Sequence, residues 1–280
     1  MYYRRGGGSW KLRLIIAAVI GLISIISYYS MTDENPITGE EQRVAMTAEQ
    51  EIRLGMQAAP ELIRQHGGLD PDPQDQALVD RIGELLVRNL EAGWVADGRQ
   101  NPYPFEFHLL HDDRTINAFA LPGGQVFITS ALFERLETEG QLAGVLGHEI
   151  GHVVKRHSAQ QLAKSQLSQG LGAAAGVAAG DADSARMAQA VGQMINMKYG
   201  RDHELESDKL GVILMTKAGY DPRSMLGVMD ILAEAGGGGG APEFLSTHPK
   251  PANRKEYIDQ VIKQVVSEEF PNGLPPNLQQ

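Results

Sequence analysis

The chain has 280 residues, 42% of them hydrophobic, and carries a formal net charge of -10 at pH 7. This length and hydrophobic content predict one globular domain with appendages, and the acidic charge argues against a nucleic-acid partner. The sequence contains no cysteine, so disulfides and thiolate metal ligands are excluded. Any metal ion must be held by histidine and carboxylate side chains.

An uncharged apolar run lies near the N-terminus. Basic side chains precede residues 14–29, which carry no charge, and acidic side chains follow them. A membrane-spanning helix needs about 20 residues, and residues 12–31 reach that length. We expect a single-pass signal anchor at 12–31, with the basic residues 1–11 in the cytoplasm and the remainder outside it. A cleaved signal peptide is the alternative, and the lack of a small-x-small cleavage site argues against it.

Helical spacing dominates the sequence after this anchor. Residues 32–46 form a polar linker, and a helix begins after them because Thr47 and Gln50 fit a capping box. A second amphipathic helix ends at Gly93. Both helices are interpreted as packing elements.

Alternating apolar residues then replace the helical spacing at "FEFHLL" and "GQVFITS", which predicts two strands. Between them, Pro122, Gly123 and Gly124 suit a turn that returns the second strand beside the first. We therefore expect a small antiparallel sheet. The "GQVFITS" strand is either an edge strand that binds an extended substrate by backbone pairing or an ordinary interior strand.

The remaining sequence is mostly helical, which makes the predicted class mainly α with a small antiparallel sheet (α+β). The run from Glu139 to about Gln161 is apolar nearly all round and predicts a buried helix. The Ala/Gly-rich segment 165–197 has few large side chains and predicts a mobile or partner-packed hairpin. Helices resume near Arg201 and continue to about residue 266, and residues 269–280 form a proline-rich tail.

The buried helix contains the motif "HEIGH". His148 and His152 are four residues apart and lie one turn apart on a helix, so both imidazoles can reach one metal ion. A catalytic zinc takes three protein ligands and leaves one position for water. Glu149 is offset by about 100° around the helix, so it can reach that water and act as the general base. A chance match is the alternative, but buried polar residues destabilise a helix unless they are liganded or paired.

A later stretch, "GRDHELESDKLG", offers the third ligand. Glu204 and Asp208 are four residues apart, so one carboxylate can bind the metal while the other orients a ligand histidine. Glu206 is predicted to point to a different face, and His203 is interpreted as a surface or hydrogen-bonded histidine. By itself the stretch also fits a solvated charged helix.

Three motifs together carry a family resemblance: "HEIGH", "RDHELESD" and "NAFALPGGQVFIT". They resemble the zinc metallopeptidase family of the HtpX protease and the CaaX prenyl endoprotease, closest to its periplasmic BepA/LoiP-like branch, and the resemblance runs over about 47–257. It implies a zincin-like single peptidase domain at 47–268. It also implies one Zn²⁺ with Glu204 as the third ligand and Asp208 behind the ligand shell. Ser207 stands where the family usually has alanine.

The resemblance also assigns roles to the stretch "STHPKPANR". It implies that His248 is either a fourth zinc ligand at rest or an oxyanion hydrogen-bond donor during turnover. A loop histidine fixed between two prolines is the alternative. Arg254 either pairs with a carboxylate or assists at the oxyanion, and Tyr199 is a weaker candidate for that task. His157 lies off the metal-facing side of the helix and is interpreted as structural.

The function that the resemblance implies is that of a membrane-anchored, gluzincin-type zinc metalloendopeptidase. Its expected substrates and partners are unfolded, misfolded or misassembled envelope proteins. Two alternatives remain: a zinc-containing chaperone or assembly scaffold with low proteolytic activity, and a zinc hydrolase acting on something other than peptides.

Overall fold

A computed structural model describes residues 10–94, 99–179, 200–236, 243–248, 253–275 and 278. Most of these residues are helical, which confirms the predicted mainly α, α+β class. The helices are α1 Trp10–Ser30, α2 Ala48–Gln65, α3 Pro73–Trp94, α4 Ser130–Phe133, α5 Glu139–Val154, α6 His157–Ala179, α7 Arg201–Lys217, α8 Ser224–Ala235, α9 Glu243–Thr247 and α10 Arg254–Glu269. The strands are β1 Thr32–Glu34, β2 Glu41–Arg43, β3 Glu106–Leu110, β4 Ala118–Ala120 and β5 Gln125–Thr129.

The smaller of two compact units contains α1, the β1–β2 hairpin and α6 from residue 159 onward. Helix α1 has 21 residues and is long and apolar enough to cross a membrane, by length and composition. Helix α6 packs closely on α1, because Gly170 faces Ser24 and Gly21 faces Leu171. In the described part of the hairpin predicted at 165–197, residues 165–179 are helical, and the glycine at 170 allows this helix to approach its neighbour. Residues 180–197 lie outside the described residues.

The larger unit is built around α5, in which all residues except Glu139 are buried. Its main neighbour is α7. Glycines allow the two backbones to approach closely: a Cβ at Gly147 would lie 3.1 Å from the Gly211 Cα atom, and one at Gly151 would lie 2.9 Å from the Ser207 Cα atom. The site residues of both helices are therefore brought together.

Helix α5 ends at Val154, earlier than the predicted end near residue 161. The cause is Arg156, whose φ of 57° lies in the left-handed region that non-glycine residues rarely adopt. The buried Arg156 side chain donates from Nε to Glu51 Oε2 at 2.8 Å and from Nη2 to the Met46 carbonyl at 2.6 Å. These bonds stabilise a turn that no helical periodicity predicts, and α6 begins directly after it.

The three-stranded sheet has the order β3-β5-β4. Strand β3 pairs with β5 in parallel, and β4 pairs with β5 antiparallel. The prediction that the first two strands pair antiparallel is wrong, because the segment read as a turn contains β4, which takes the hairpin position beside β5. The "GQVFITS" strand is thus the interior strand of this sheet, and its interpretation as an edge strand is wrong.

Substitution of Gly151 by alanine tests the contact between α5 and α7. The new Cβ would lie 2.9 Å from the Ser207 Cα and 3.1 Å from the Ser207 carbonyl oxygen, so the helices must move apart. Overpacking of this kind lowers the free energy of unfolding by about 1–3 kcal/mol. We expect Gly151→Ala to lower the melting temperature measured by circular dichroism.

Gly172→Ala in α6 is the matched control. A Cβ added there has no neighbour within 4 Å among the described residues. Alanine also favours a helix over glycine by roughly 1 kcal/mol. A melting temperature for Gly151→Ala equal to or above that of the parent would contradict the close α5–α7 packing.

Candidate metal centre

Three helices supply the side chains of the candidate site. Helix α5 presents His148, Glu149 and His152 on its buried side, and α7 presents Glu204 across the glycine-lined contact. His248 follows the last residue of the short helix α9, and its backbone N–H donates to the Phe244 carbonyl at 2.8 Å. The site thus joins residues that lie up to 100 positions apart in the sequence.

Four possible ligand atoms converge at one point. One atom each from His148, His152, Glu204 and His248 lies within 4.8 Å of the other three, and all four residues are buried. The His148 Nε2 atom is 3.1 Å from His152 Nε2 and 3.3 Å from His248 Nδ1. The Glu204 Oε1 atom is 3.1 Å from His248 Nδ1 and 3.5 Å from His152 Nε2.

This spacing fits a tetrahedral metal ion. Ligands at the ~2.0–2.1 Å typical of zinc bonds to nitrogen and oxygen lie roughly 3.3 Å from each other around a tetrahedron. Four of the six separations among these atoms, 3.1 to 3.5 Å, scatter about that value, and all six are within 4.8 Å. Three imidazole nitrogens and a carboxylate oxygen are also a donor set suited to such an ion. The residues present therefore fit a bound metal.

Glu149 is fully buried beside this cluster. Neither of its carboxylate oxygens has a hydrogen-bond partner among the described residues, and Oε1 lies 3.7 Å from His248 Nε2. Burial raises the pKa of Glu149, although the nearby His248 and His148 oppose the rise. A buried carboxylate without hydrogen bonds is unfavourable unless it serves chemistry or binds an absent group.

Asp208 and Arg254 contact the candidate ligands from outside the cluster. Asp208 Oδ1 lies 2.9 Å from His148 Nδ1, the ring nitrogen that faces away from the cluster. Arg254 donates to both Asp208 oxygens, from Nε at 2.7 Å and from Nη2 at 2.8 Å. Burial alone would raise the pKa of Asp208, but the Arg254 charge and the bond to His148 lower it to about 2. The carboxylate is therefore ionised and fixes the orientation of the His148 ring.

Arg254 also reaches the cluster itself. Its Nη1 atom lies 3.0 Å from Glu204 Oε2, an oxygen that also lies 3.7 Å from His148 Nε2. Burial opposes the charged form of Glu204, and the charges of His248, His148 and Arg254 nevertheless lower its pKa. Arg254 thus links Glu204 and Asp208. Tyr199, the weaker oxyanion candidate, lies outside the described residues.

The structure adds a neighbour that the sequence interpretation missed. His157 is fully buried, and its Nδ1 atom lies 3.0 Å from His152 Nδ1. Its other nitrogen, Nε2, is 3.0 Å from Glu206 Oε2, and its ring stacks on His203 with centroids 4.2 Å apart. A nine-residue spacing from His148 on one continuous helix predicts a different direction, so only the turn at Arg156 brings His157 here.

Comparisons with known proteins agree with this site. Residues 73–262 match the model of peptidase family M48. The chain is 32% identical over 273 residues to the beta-barrel assembly-enhancing protease of Escherichia coli, which covers 92% of this chain and 54% of that protein. It is 30% identical over 279 residues to the mitochondrial metalloendopeptidase OMA1 of Homo sapiens, covering 95% and 52%, respectively.

A second mitochondrial metalloendopeptidase OMA1, from Saccharomyces cerevisiae, is 27% identical over 263 residues, covering 89% of this chain and 74% of that protein. The chain spans about half the length of the first two relatives. These matches confirm the predicted resemblance and the predicted enzyme class, a metalloendopeptidase, and the family implies a metal at the buried cluster. Because the family match covers more than half of the chain, the chain belongs to peptidase family M48.

Proposed function

We propose that the chain is a membrane-anchored, zinc-dependent endopeptidase that hydrolyses misfolded or misassembled envelope proteins. The observation that carries this proposal is the pairing of a buried tetrahedral donor cluster with Glu149, a buried carboxylate next to it that has no hydrogen-bond partner among the described residues. A metal site without a catalytic role would not require the second feature.

His148, His152 and Glu204 would hold one Zn²⁺, which supplies a Lewis acid for the scissile carbonyl and lowers the pKa of water. Glu149 takes the proton of the attacking water on a carboxylate oxygen and passes it to the leaving amine. Its raised pKa brings it closer to the range in which a carboxyl group can both accept and release a proton.

On a metal held by His148, His152 and Glu204, His248 would occupy the position that water or substrate needs. Its Nδ1 atom completes the tetrahedral donor set, and its ring stacks on Phe244 with centroids 4.4 Å apart. We therefore assign His248 as the resting fourth ligand, which must leave before a substrate binds. Arg254 is assigned to carboxylate pairing, because it contacts Asp208 and Glu204.

Substrate binding is assigned to β4. In the described part of the chain this strand pairs only with β5, and it packs against the motif helix α5. A strand with one unpaired side can bind an extended peptide through backbone hydrogen bonds, which selects unfolded segments over particular sequences. The name of the Escherichia coli relative places that protein in β-barrel assembly, and we propose a comparable quality-control role for this chain.

Membrane attachment is assigned to α1, with residues 1–11 in the cytoplasm and the peptidase domain, 47–268, on the periplasmic side of the inner membrane. Large apolar side chains of α1 are exposed along its length. At its C-terminal end the Arg43 guanidinium lies 5.6 Å from the Tyr28 ring centroid and 4.7 Å from that of Tyr29. Aromatic and cationic side chains are favoured at the membrane–water interface. Residues 32–46 serve as the linker and 269–280 as the tail.

The alternative function, a zinc-containing scaffold, is supported by the same contact of His248 with the donor cluster. A histidine that fills the fourth position suppresses basal cleavage, so a protein of this kind can bind client proteins while cleaving few of them. The two functions differ in whether His248 leaves when a substrate binds.

Glu149→Gln removes the proposed general base while preserving the size of the side chain. General acid–base catalysis contributes about 10²–10⁴-fold, so we expect casein degradation by the full chain to fall by that factor. Zinc content, measured by mass spectrometry, stays at one per chain because Glu149 is not a ligand.

The matched control is Glu137→Gln, which changes an exposed glutamate just before α5 and leaves casein degradation unchanged. Cleavage by Glu149→Gln at the parent rate would rule out the proposed base. Absence of casein cleavage in the parent as well would favour the scaffold.

His248→Ala tests the assignment of the fourth ligand. We expect basal casein degradation to rise, because the open position becomes available to water, while His148, His152 and Glu204 still hold one zinc per chain. His111→Ala, which removes an exposed histidine, is the control. A severe loss of activity would instead assign His248 to the oxyanion, and an unchanged rate would exclude both roles.

A further inference from the structure

His157 and Glu206 form a chain of contacts that ends on a proposed metal ligand. The His152 Nε2 atom belongs to the donor cluster, and its opposite nitrogen, Nδ1, lies 3.0 Å from His157 Nδ1. The second nitrogen of His157 lies 3.0 Å from Glu206 Oε2. The sequence interpretation left both residues outside the site.

The direction of each hydrogen bond follows from the metal site. A histidine that binds a metal through Nε2 carries its proton on Nδ1, so His152 donates to His157. The Nδ1 atom of His157 must then be the acceptor, and its proton sits on Nε2, where Glu206 accepts it. The Ser207 hydroxyl, 3.3 Å from His157 Nδ1, is a second donor facing that acceptor.

The surrounding fold fixes the His157 ring in this orientation. The left-handed turn at Arg156 directs the first side chain of α6 back toward α5, and the buried Arg156–Glu51 ion pair stabilises the turn. His203 stacks on the ring with an interplanar angle of 13°. The ring is held from its face as well as by its two nitrogens.

We propose that His157 and Glu206 are positioning residues for the metal ligand His152. Glu206 accepts a hydrogen bond from His157, and His157 accepts one from His152, which holds the His152 ring in the orientation and tautomer that metal binding needs. Asp208 performs the same task for His148 directly. The carboxylates behind the two ligand histidines thus differ in exposure. Asp208, behind His148, is fully buried, whereas the side chain of Glu206, behind His152, is 49% exposed.

This inference rests on the proposed metal site. The experiment that tests it measures zinc affinity and not proteolysis. Zinc dissociation constants are measured by chelator competition for the parent, Glu206→Gln, His157→Asn and His157→Ala. Removing a partner behind a metal ligand weakens metal binding by about 10–100-fold. Glu206→Gln keeps an acceptor oxygen and removes only the negative charge, so we expect it to weaken zinc binding about 10-fold, the low end of that range, whereas His157→Ala should weaken it by up to about 100-fold.

His157→Asn supplies a conservative rescue. The asparagine Oδ1 atom can take the place of His157 Nδ1 as the acceptor for His152, while the link to Glu206 is lost. The zinc affinity of His157→Asn should therefore match that of Glu206→Gln or lie between those of Glu206→Gln and His157→Ala. Glu256→Gln changes an exposed glutamate of α10 and serves as the control with unchanged affinity. Because the Glu206 side chain is half exposed, Glu206→Gln should also leave the melting temperature of the metal-free protein unchanged.

Nuclear magnetic resonance of zinc-loaded, ¹⁵N-histidine-labelled protein provides a second readout. Long-range ¹H–¹⁵N correlations identify the protonated nitrogen of each ring, and we expect the proton of His157 on Nε2. A His157 proton on Nδ1, or a Glu206→Gln affinity equal to that of the parent, would overturn the inference. Failure of the parent to bind zinc would instead refute the proposed function.

Discussion

The close contact between α5 and α7 is the constraint on which the metal site depends. Glycines at the crossing remove the side chains that would separate the helices, so the backbone of α7 passes within van der Waals distance of the "HEIGH" turn. Only at this separation can Glu204 join His148 and His152 around one point. The same contact lets Asp208 reach the outer nitrogen of His148 from one turn further along α7.

Such proximity concentrates charge in a region without solvent. Glu149, Glu204, Asp208 and Arg254 are all almost fully buried, and burial of charges without partners is strongly unfavourable. Arg254 compensates part of the negative charge by pairing with Glu204 and Asp208. A divalent cation between the three histidines and Glu204 would compensate more, so metal binding and the stability of the larger unit should be coupled.

Residue spacing predicted the parts of the site that lie on single helices. The four-residue separation of His148 and His152 is enough to put both on one face, and it needs no knowledge of the tertiary fold. The strand order of the sheet was harder to predict from the sequence, because β4 is only three residues long and lies in a segment whose glycines and proline signal a turn. Its presence changes the pairing of β3 from antiparallel to parallel.

The break in the motif helix was also beyond prediction from the sequence. Arg156 adopts a left-handed conformation because tertiary contacts with Glu51 and Met46 stabilise it, and arginine itself has no preference for that region. A continuous helix would direct His157 away from the ligands, whereas the observed turn directs it onto His152. The connection of Glu206 to the site depends on the same turn, because it runs through His157.

We propose that one zinc ion binds at the crossing of α5 and α7. An anomalous difference map, calculated from crystals of the zinc-loaded protein with data collected at the zinc absorption edge, tests it most directly. We expect a single peak at ~2.0–2.1 Å from the ligand atoms of His148, His152, Glu204 and His248. A peak elsewhere in the chain, or a peak at this crossing that Glu204 does not contact, would rule out this zinc site.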